Sequence, residues 1–363
     1  MKALRFYSAK DLRVDDVPRP ECGADEVRLK IAYVGICGSD IHEYLIGPSI
    51  LPADPTKAVN RYTGGRLPQI MGHEISATIV EVGKDVQGYK VGQRVAVNAA
   101  IDDRHHGHEL CDPCEKGRHN ICDRISFYGV NSPAGGFAEE MVVKSVALVP
   151  IPDGVSLKIA ALAEPLAVAA HSIRMSGFQK GQNAIVFGAG PIGTALTFLL
   201  KDAGAKCVMV SEVASSRLEQ AKAAGADRTV NPLEEKVLDV VHELMGTGAD
   251  VAFEACGLQA TFDAALASVK TGGTIFNVAI LEKPLQLNTN ILTRGEKKLL
   301  AGNAYTAEDF DRVMRVLSTR GSDVEKFISS VVPLARAVED GFEEIVNNKS
   351  KHNKILVELS GEH

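Results

Sequence analysis

The rhythm of apolar and polar positions changes near residue 155. Before that point the chain carries short β-type runs, EVRLKIAYVGI, SATIVEVG, QRVAVNAA and EEMVVKSVALVP, interrupted by Gly, Pro and Asp. This part is expected to form an irregular β-rich domain. From about 157 to 300, short apolar strands alternate with helical segments: NAIVFGAG leads into PIGTALTFLLKDAG, and AKCVMVSE into SSRLEQAKAAGA, with ADVAFEACG and GTIFNVAI further on. Such alternation predicts a parallel, doubly wound sheet with helices on its faces. AEDFDRVMRVLSTRG reads as one more helix, and the terminal KILVELS as a strand whose natural home is the first domain. The expected division of this α/β chain is therefore residues 1–156 with 300–363, and residues 157–299.

Length and composition agree with that division. At 363 residues the chain exceeds the size at which one core keeps growing. Hydrophobic residues make up 45% and charged residues 24%, with a net charge of -6, the composition of a globular protein without a footprint for nucleic acid or an anionic membrane. Small molecules are the expected partners. The N-terminal MKALRFYSAKDL lacks the apolar core of a signal peptide, and no run of about 18 uncharged apolar residues occurs, so a cytoplasmic location is expected. Seven cysteines, an odd number partly clustered with histidines, suit a reducing compartment and metal binding better than a disulfide framework.

GAGPIG, comprising Gly188, Ala189, Gly190, Pro191, Ile192 and Gly193, fits GxGxxG. The pattern alone is weak, but here it follows an apolar strand and opens a helix, so its backbone amides and helix dipole are placed for a pyrophosphate. Gly190 permits the close approach and Gly193 the helix packing. The next strand ends in VSE, which puts Glu212 about 20 residues downstream, where a carboxylate bonds a ribose 2'-hydroxyl and repels a 2'-phosphate. NAD is favoured over NADP, with Arg217 nearby as the feature that keeps the phosphate cofactor in play.

Two further stretches hold metal chemistry. GICGSDIHEY supplies Cys37, Ser39, Asp40 and His42, and IMGHEIS supplies His73 and Glu74. Thiolate, imidazole and carboxylate together form a zinc palette, and a fourth position left open makes such a site catalytic. Each residue also has a plain structural reading, as a small core hydrophobe or a satisfied core histidine. Glu164 stands out because ALAEPLAVAAH is otherwise apolar, and a buried carboxylate there needs a cation. HHGHELCDPCEKGRHNIC, residues 105–122, contains Cys111, Cys114 and Cys122, one ligand short of a closed zinc site.

In order along the chain, GICGSDIHEYL, GHE, the CxxC cluster, AEPLAVAAHSIRMSGF, GAGPIG and VSE resemble the zinc-dependent medium-chain dehydrogenases. The long passage from HEYLIGP to GHE is similar to the butanediol dehydrogenase group within the polyol branch. That resemblance implies a GroES-like domain joined to a Rossmann domain. It implies hydride transfer between NAD(H) and a vicinal secondary alcohol or ketone, namely 2,3-butanediol, acetoin or diacetyl. Sorbitol, xylitol and threonine dehydrogenases, and a non-catalytic NAD-binding module, are the competing readings. Position by position, the resemblance implies a catalytic zinc on Cys37, His73 and Glu164, Glu74 as a fourth or exchanging ligand, and a proton relay through Ser39 and His42. Tyr44 is a further candidate, as a hydrogen-bond partner for the second substrate oxygen. Relatives with a second, structural zinc use four cysteines, and the register of the first falls on His108 here; His105, His106 or a metal-free lobe are the alternatives. The same relatives imply a homodimer or homotetramer through edge pairing of the nucleotide domain.

Overall fold

The structure, a computed structural model, describes residues 1–49, 62–281 and 283–359. Two compact units emerge: Met1–Glu164 with Tyr305–His363, and Pro165–Ala304. The chain leaves the first unit a few residues later than the change of texture near 155. The reason is local packing, because the short helix Leu157–Ala160 lies against strands Glu26–Gly35 and Glu74–Val82 of the first unit.

Strand Glu26–Gly35 is the centre of the first unit. Its burial alternates, with Val27, Leu29 and Ile31 fully buried between half-buried Arg28 and Lys30, as a pleat with one core face requires. It pairs antiparallel with Glu74–Val82, with Glu140–Lys144 and with Lys354–Glu358. Gly35 opposes Glu74 on one side and Leu356 on the other, so the terminal strand joins the first unit's sheet, as the sequence pattern indicates. Helix Ala307–Glu325 starts at a capping box in which Asp309 Oδ2 accepts from both the amide and the hydroxyl of Thr306 at 2.8 Å. It packs on Leu157–Ala160.

The second unit is a six-stranded, wholly parallel sheet. In space its strands run Arg228–Val230, Cys207–Ser211, Asn183–Phe187, Ala249–Glu254, Val269–Asn277 and Lys298–Ala301. Numbered in chain order this is 3-2-1-4-5-6, the doubly wound dinucleotide-binding arrangement, with the direction of winding reversing beside strand Asn183–Phe187. Among the described residues no helix is long and apolar enough to cross a membrane.

Candidate active site

Cys37 precedes helix Gly38–Ile46 as its N-cap, held there by its amide donating to Asp40 Oδ2 at 3.0 Å. His73 is the last residue before strand Glu74–Val82, whose pairing with Glu26–Gly35 carries it to the same end of the sheet. The candidate ligand atoms of Cys37, His73 and Glu74 all lie within 4.8 Å of one another. Gly35 makes this possible: a Cβ there would stand 1.9 Å from Glu74 Oε2. Glu74 Oε1 accepts from Lys354 Nζ at 2.6 Å, and the same ammonium donates to the Ile36 carbonyl at 3.1 Å. Both side chains are buried, so each charge depends on the other.

Burial by itself would lower the His73 pKa, but the Asp40 carboxylate and the Cys37 thiolate raise it well above its ordinary value. Burial pushes Glu164 up to about 7, against the pull of His73 and with the repulsion of Glu74. Burial also raises Asp40. Acidic groups thus crowd a volume with one buried ammonium, while His73 Nδ1 and Glu74 Oε2 find no hydrogen-bond partner among the described residues. Orphaned ligand atoms in an anionic pocket fit a dication.

Glu164, on helix Ala163–Met175, stands in the electrostatic neighbourhood of His73 and Glu74, whereas the tight three-residue cluster contains Glu74. Beside Glu164 lies Tyr305, fully buried, whose phenol is pushed well up by burial and by that carboxylate. Ser39 Oγ is 3.4 Å from His73 Nε2, and His42 follows Ser39 by three positions, on the same face of helix Gly38–Ile46. Tyr44 is placed differently from the expectation. It is 3% exposed, donates its hydroxyl to Glu343 and packs edge-on against Phe342, so it serves the core. Part of the discriminating passage between HEYL and GHE, residues 50–61, lies outside the described residues.

The cysteine lobe departs from the register argument. Cys111, Cys114 and Cys122 do converge, but the fourth member of the group is Asp103. His108 is exposed, and its ring lies against His106 and Tyr62. His108 stands outside this group, because helix Asp103–His106, closed by Gly107 in the left-handed region, folds Asp103 back toward Cys111. Burial would raise Asp103, but hydrogen bonds from Cys111 and Arg124 hold it well below the usual carboxylate range. Neither His105 nor His106 joins this group; His105 Nδ1 accepts from the Asp102 amide at 3.1 Å.

In the second unit, Gly190 caps helix Pro191–Asp202 and has open space where a side chain would stand. Gly193 has none: a Cβ would lie 1.9 Å from the Gly188 carbonyl. Glu212 Oε2 accepts from the Ala189 amide at 2.9 Å, and Oε1 accepts from Val213 and Ala214 at 2.8 and 3.0 Å. The carboxylate therefore ties the end of its own strand to the fingerprint loop, with an Arg217 nitrogen 4.0 Å away. Ile192 lies in the first turn of that helix.

Lys354, Tyr305 and Asp103 are the residues that sequence reasoning missed. A lysine opening an apolar terminal strand, and an aspartate pair heading the histidine-rich stretch, were the available signals.

Comparison with known proteins matches residues 23–153 to the alcohol dehydrogenase GroES-like domain and residues 191–319 to the zinc-binding dehydrogenase domain. The chain is 35% identical to the (R,R)-butanediol dehydrogenase of Saccharomyces cerevisiae, over 98% of both chains. It superimposes on the crystal structure of Bacillus subtilis 2R,3R-butanediol dehydrogenase with a TM-score of 0.90 at 33% identity, over 98% of this chain and 99% of the other. A protein of Escherichia coli CFT073 described as a short chain alcohol dehydrogenase, in complex with NADH, gives a TM-score of 0.85 at 27% identity, over 99% of both.

Proposed function

This chain belongs to the zinc-binding alcohol dehydrogenases, and from that premise we propose that it is an NAD-dependent enzyme interconverting a vicinal secondary alcohol and its ketone, with 2,3-butanediol, acetoin or diacetyl as substrate. The observation that carries the reading is the convergence of half-buried Cys37 with buried His73 and Glu74, with orphaned ligand atoms, in a chain similar from end to end to butanediol dehydrogenases.

The first unit holds the chemistry and the second the cofactor. Cys37, His73 and Glu164 would hold the catalytic zinc, with Glu74 beside them as the exchanging ligand, its other oxygen kept by Lys354. A zinc ion there supplies a Lewis acid strong enough to bring the pKa of a coordinated hydroxyl toward neutrality. Ser39 takes up the released proton and passes it toward His42 and solvent. The fingerprint Gly188, Gly190, Pro191, Ile192 and Gly193 presents backbone amides to the pyrophosphate, while Glu212, flanked by Arg217, receives the adenosine ribose. A second zinc in the cysteine lobe is structural. A reducing, cytoplasmic setting suits these thiols. A homodimer or homotetramer is supported by edge strand Lys298–Ala301, whose Leu299 and Leu300 are each 37% exposed.

An oxidation panel with NAD tests the substrate. The kcat/KM for (2R,3R)-butanediol should exceed those for its meso form, sorbitol, xylitol and threonine, and a higher value for sorbitol or threonine overturns the assignment. Glu212→Ala should weaken NAD use about ten- to a hundredfold, the worth of a charged hydrogen bond, while NADP use improves. An unchanged ratio of kcat/KM for the two cofactors removes Glu212 from the ribose site.

A further inference from the structure

We propose that Asp103, not His108, is the fourth ligand of the zinc held by Cys111, Cys114 and Cys122, so that the lobe carries a three-thiolate, one-carboxylate site. This rests on the reading that the lobe binds zinc, and it names this chain's own ligand set.

The sulfurs are spaced for a metal. Cys111 Sγ and Cys122 Sγ stand 3.7 Å apart as free thiols, while a tetrahedron with Zn–S bonds of about 2.3 Å has an edge of about 3.8 Å. Two backbone amides are already aimed at sulfur: Asp123 donates to Cys111 Sγ at 3.5 Å and Arg124 to Cys122 Sγ at 3.3 Å. Such donors favour thiolates over thiols and fix the ligands in place.

Asp103 completes the group from the opposite side in sequence, eight residues before the first cysteine of the set. It is 0% exposed. Its Oδ2 accepts from the Cys111 amide at 2.8 Å and its Oδ1 from Arg124 Nη1 at 2.6 Å, so the carboxylate is orientated before any metal arrives. Each oxygen keeps a lone pair, and carboxylate oxygen is a regular zinc ligand at about 2.0–2.2 Å. Arg124 serves both partners, through its amide to Cys122 and its guanidinium to Asp103. His108 offers the converse picture. Its amide donates to the Asp103 carbonyl at 3.1 Å and so closes the turn, while its exposed ring contacts His106 and Tyr62.

Cadmium-113 NMR of the full chain, reconstituted with that metal after zinc analysis, separates the sites by their thiolate count. The wild-type chain should hold about two zinc ions and give two cadmium resonances, as one open and one closed site require. Asp103→Cys should move the thiolate-rich resonance downfield and leave the other in place, and His108→Ala should move neither. Asp103→Cys adds a competent ligand, so it keeps the test informative if Asp103→Ala fails to fold. Loss or displacement of the thiolate-rich resonance in His108→Ala, or its persistence unmoved in Asp103→Cys, overturns Asp103 while leaving a zinc lobe. One zinc and one resonance in the wild-type chain overturn the zinc lobe itself.

Discussion

The proposed catalytic centre and the cysteine lobe belong to the same unit and draw on the same residue types, yet they treat charge in opposite ways. In the lobe, sulfur and carboxylate atoms are met by backbone amides and by a guanidinium that reaches solvent, so the acceptors closest to the expected metal are already directed. In the centre, His73 Nδ1 and Glu74 Oε2 have no hydrogen-bond partner among the described residues, and the positive charge of Lys354 is sealed inside the fold. Saturated ligands favour a fixed ion, whereas unsaturated ones leave room for exchange with substrate. Under the proposed function the stretch richest in cysteine and histidine is therefore the scaffold, and the sparser constellation is the reactive one.

Removing Cys37 should give the largest effect. Cys37→Ala is expected to lower kcat/KM by at least about a thousandfold, roughly 4 kcal/mol of transition-state stabilisation. NADH binding, measured by fluorescence titration, and the lobe metal should persist. A parallel loss of cofactor binding would merge the two sites functionally and break the comparison.

Next in size is Lys354→Met, which strands the Glu74 carboxylate in the core. Stability measured by denaturant titration should fall by about 3–5 kcal/mol, and the further change Glu74→Gln should recover part of it. A loss below about 1 kcal/mol in the metal-loaded chain would mean that the metal, rather than Lys354, carries the compensating charge.

Arg124→Ala should have the smallest effect. Its side chain is 31% exposed, so loss of the bond to buried Asp103 should show as a small fall in Tm, with kcat/KM of the folded enzyme unchanged. A matching fall in kcat/KM would show that the lobe participates in turnover.

Features set by short spacings were legible along the chain. Strand and helix alternation, the GAGPIG turn and the convergence of three cysteines all depend on geometry within a few residues, where backbone reach leaves little freedom. The sequence also announced a buried acid at Glu164, since an apolar helix must compensate a carboxylate. The identity of each acid's partner was not announced. Register arithmetic points to His108, whereas one helical turn and a left-handed glycine bring Asp103 back toward Cys111.

Sequence by itself determined the elements, the two-unit plan, the cofactor fingerprint and the residue types from which the metal sites are made. Tertiary structure alone decided which charges meet. Lys354 reaches Glu74 across 280 positions because the terminal strand pairs Leu356 with Gly35, and Gly35 in turn pairs with Glu74. Sheet register is a collective outcome of every apolar face seeking the core, and one slip would turn Lys354 to the other face. A buried ion pair of that kind is thus a property of the whole sheet, encoded in no segment short enough to be read as a motif.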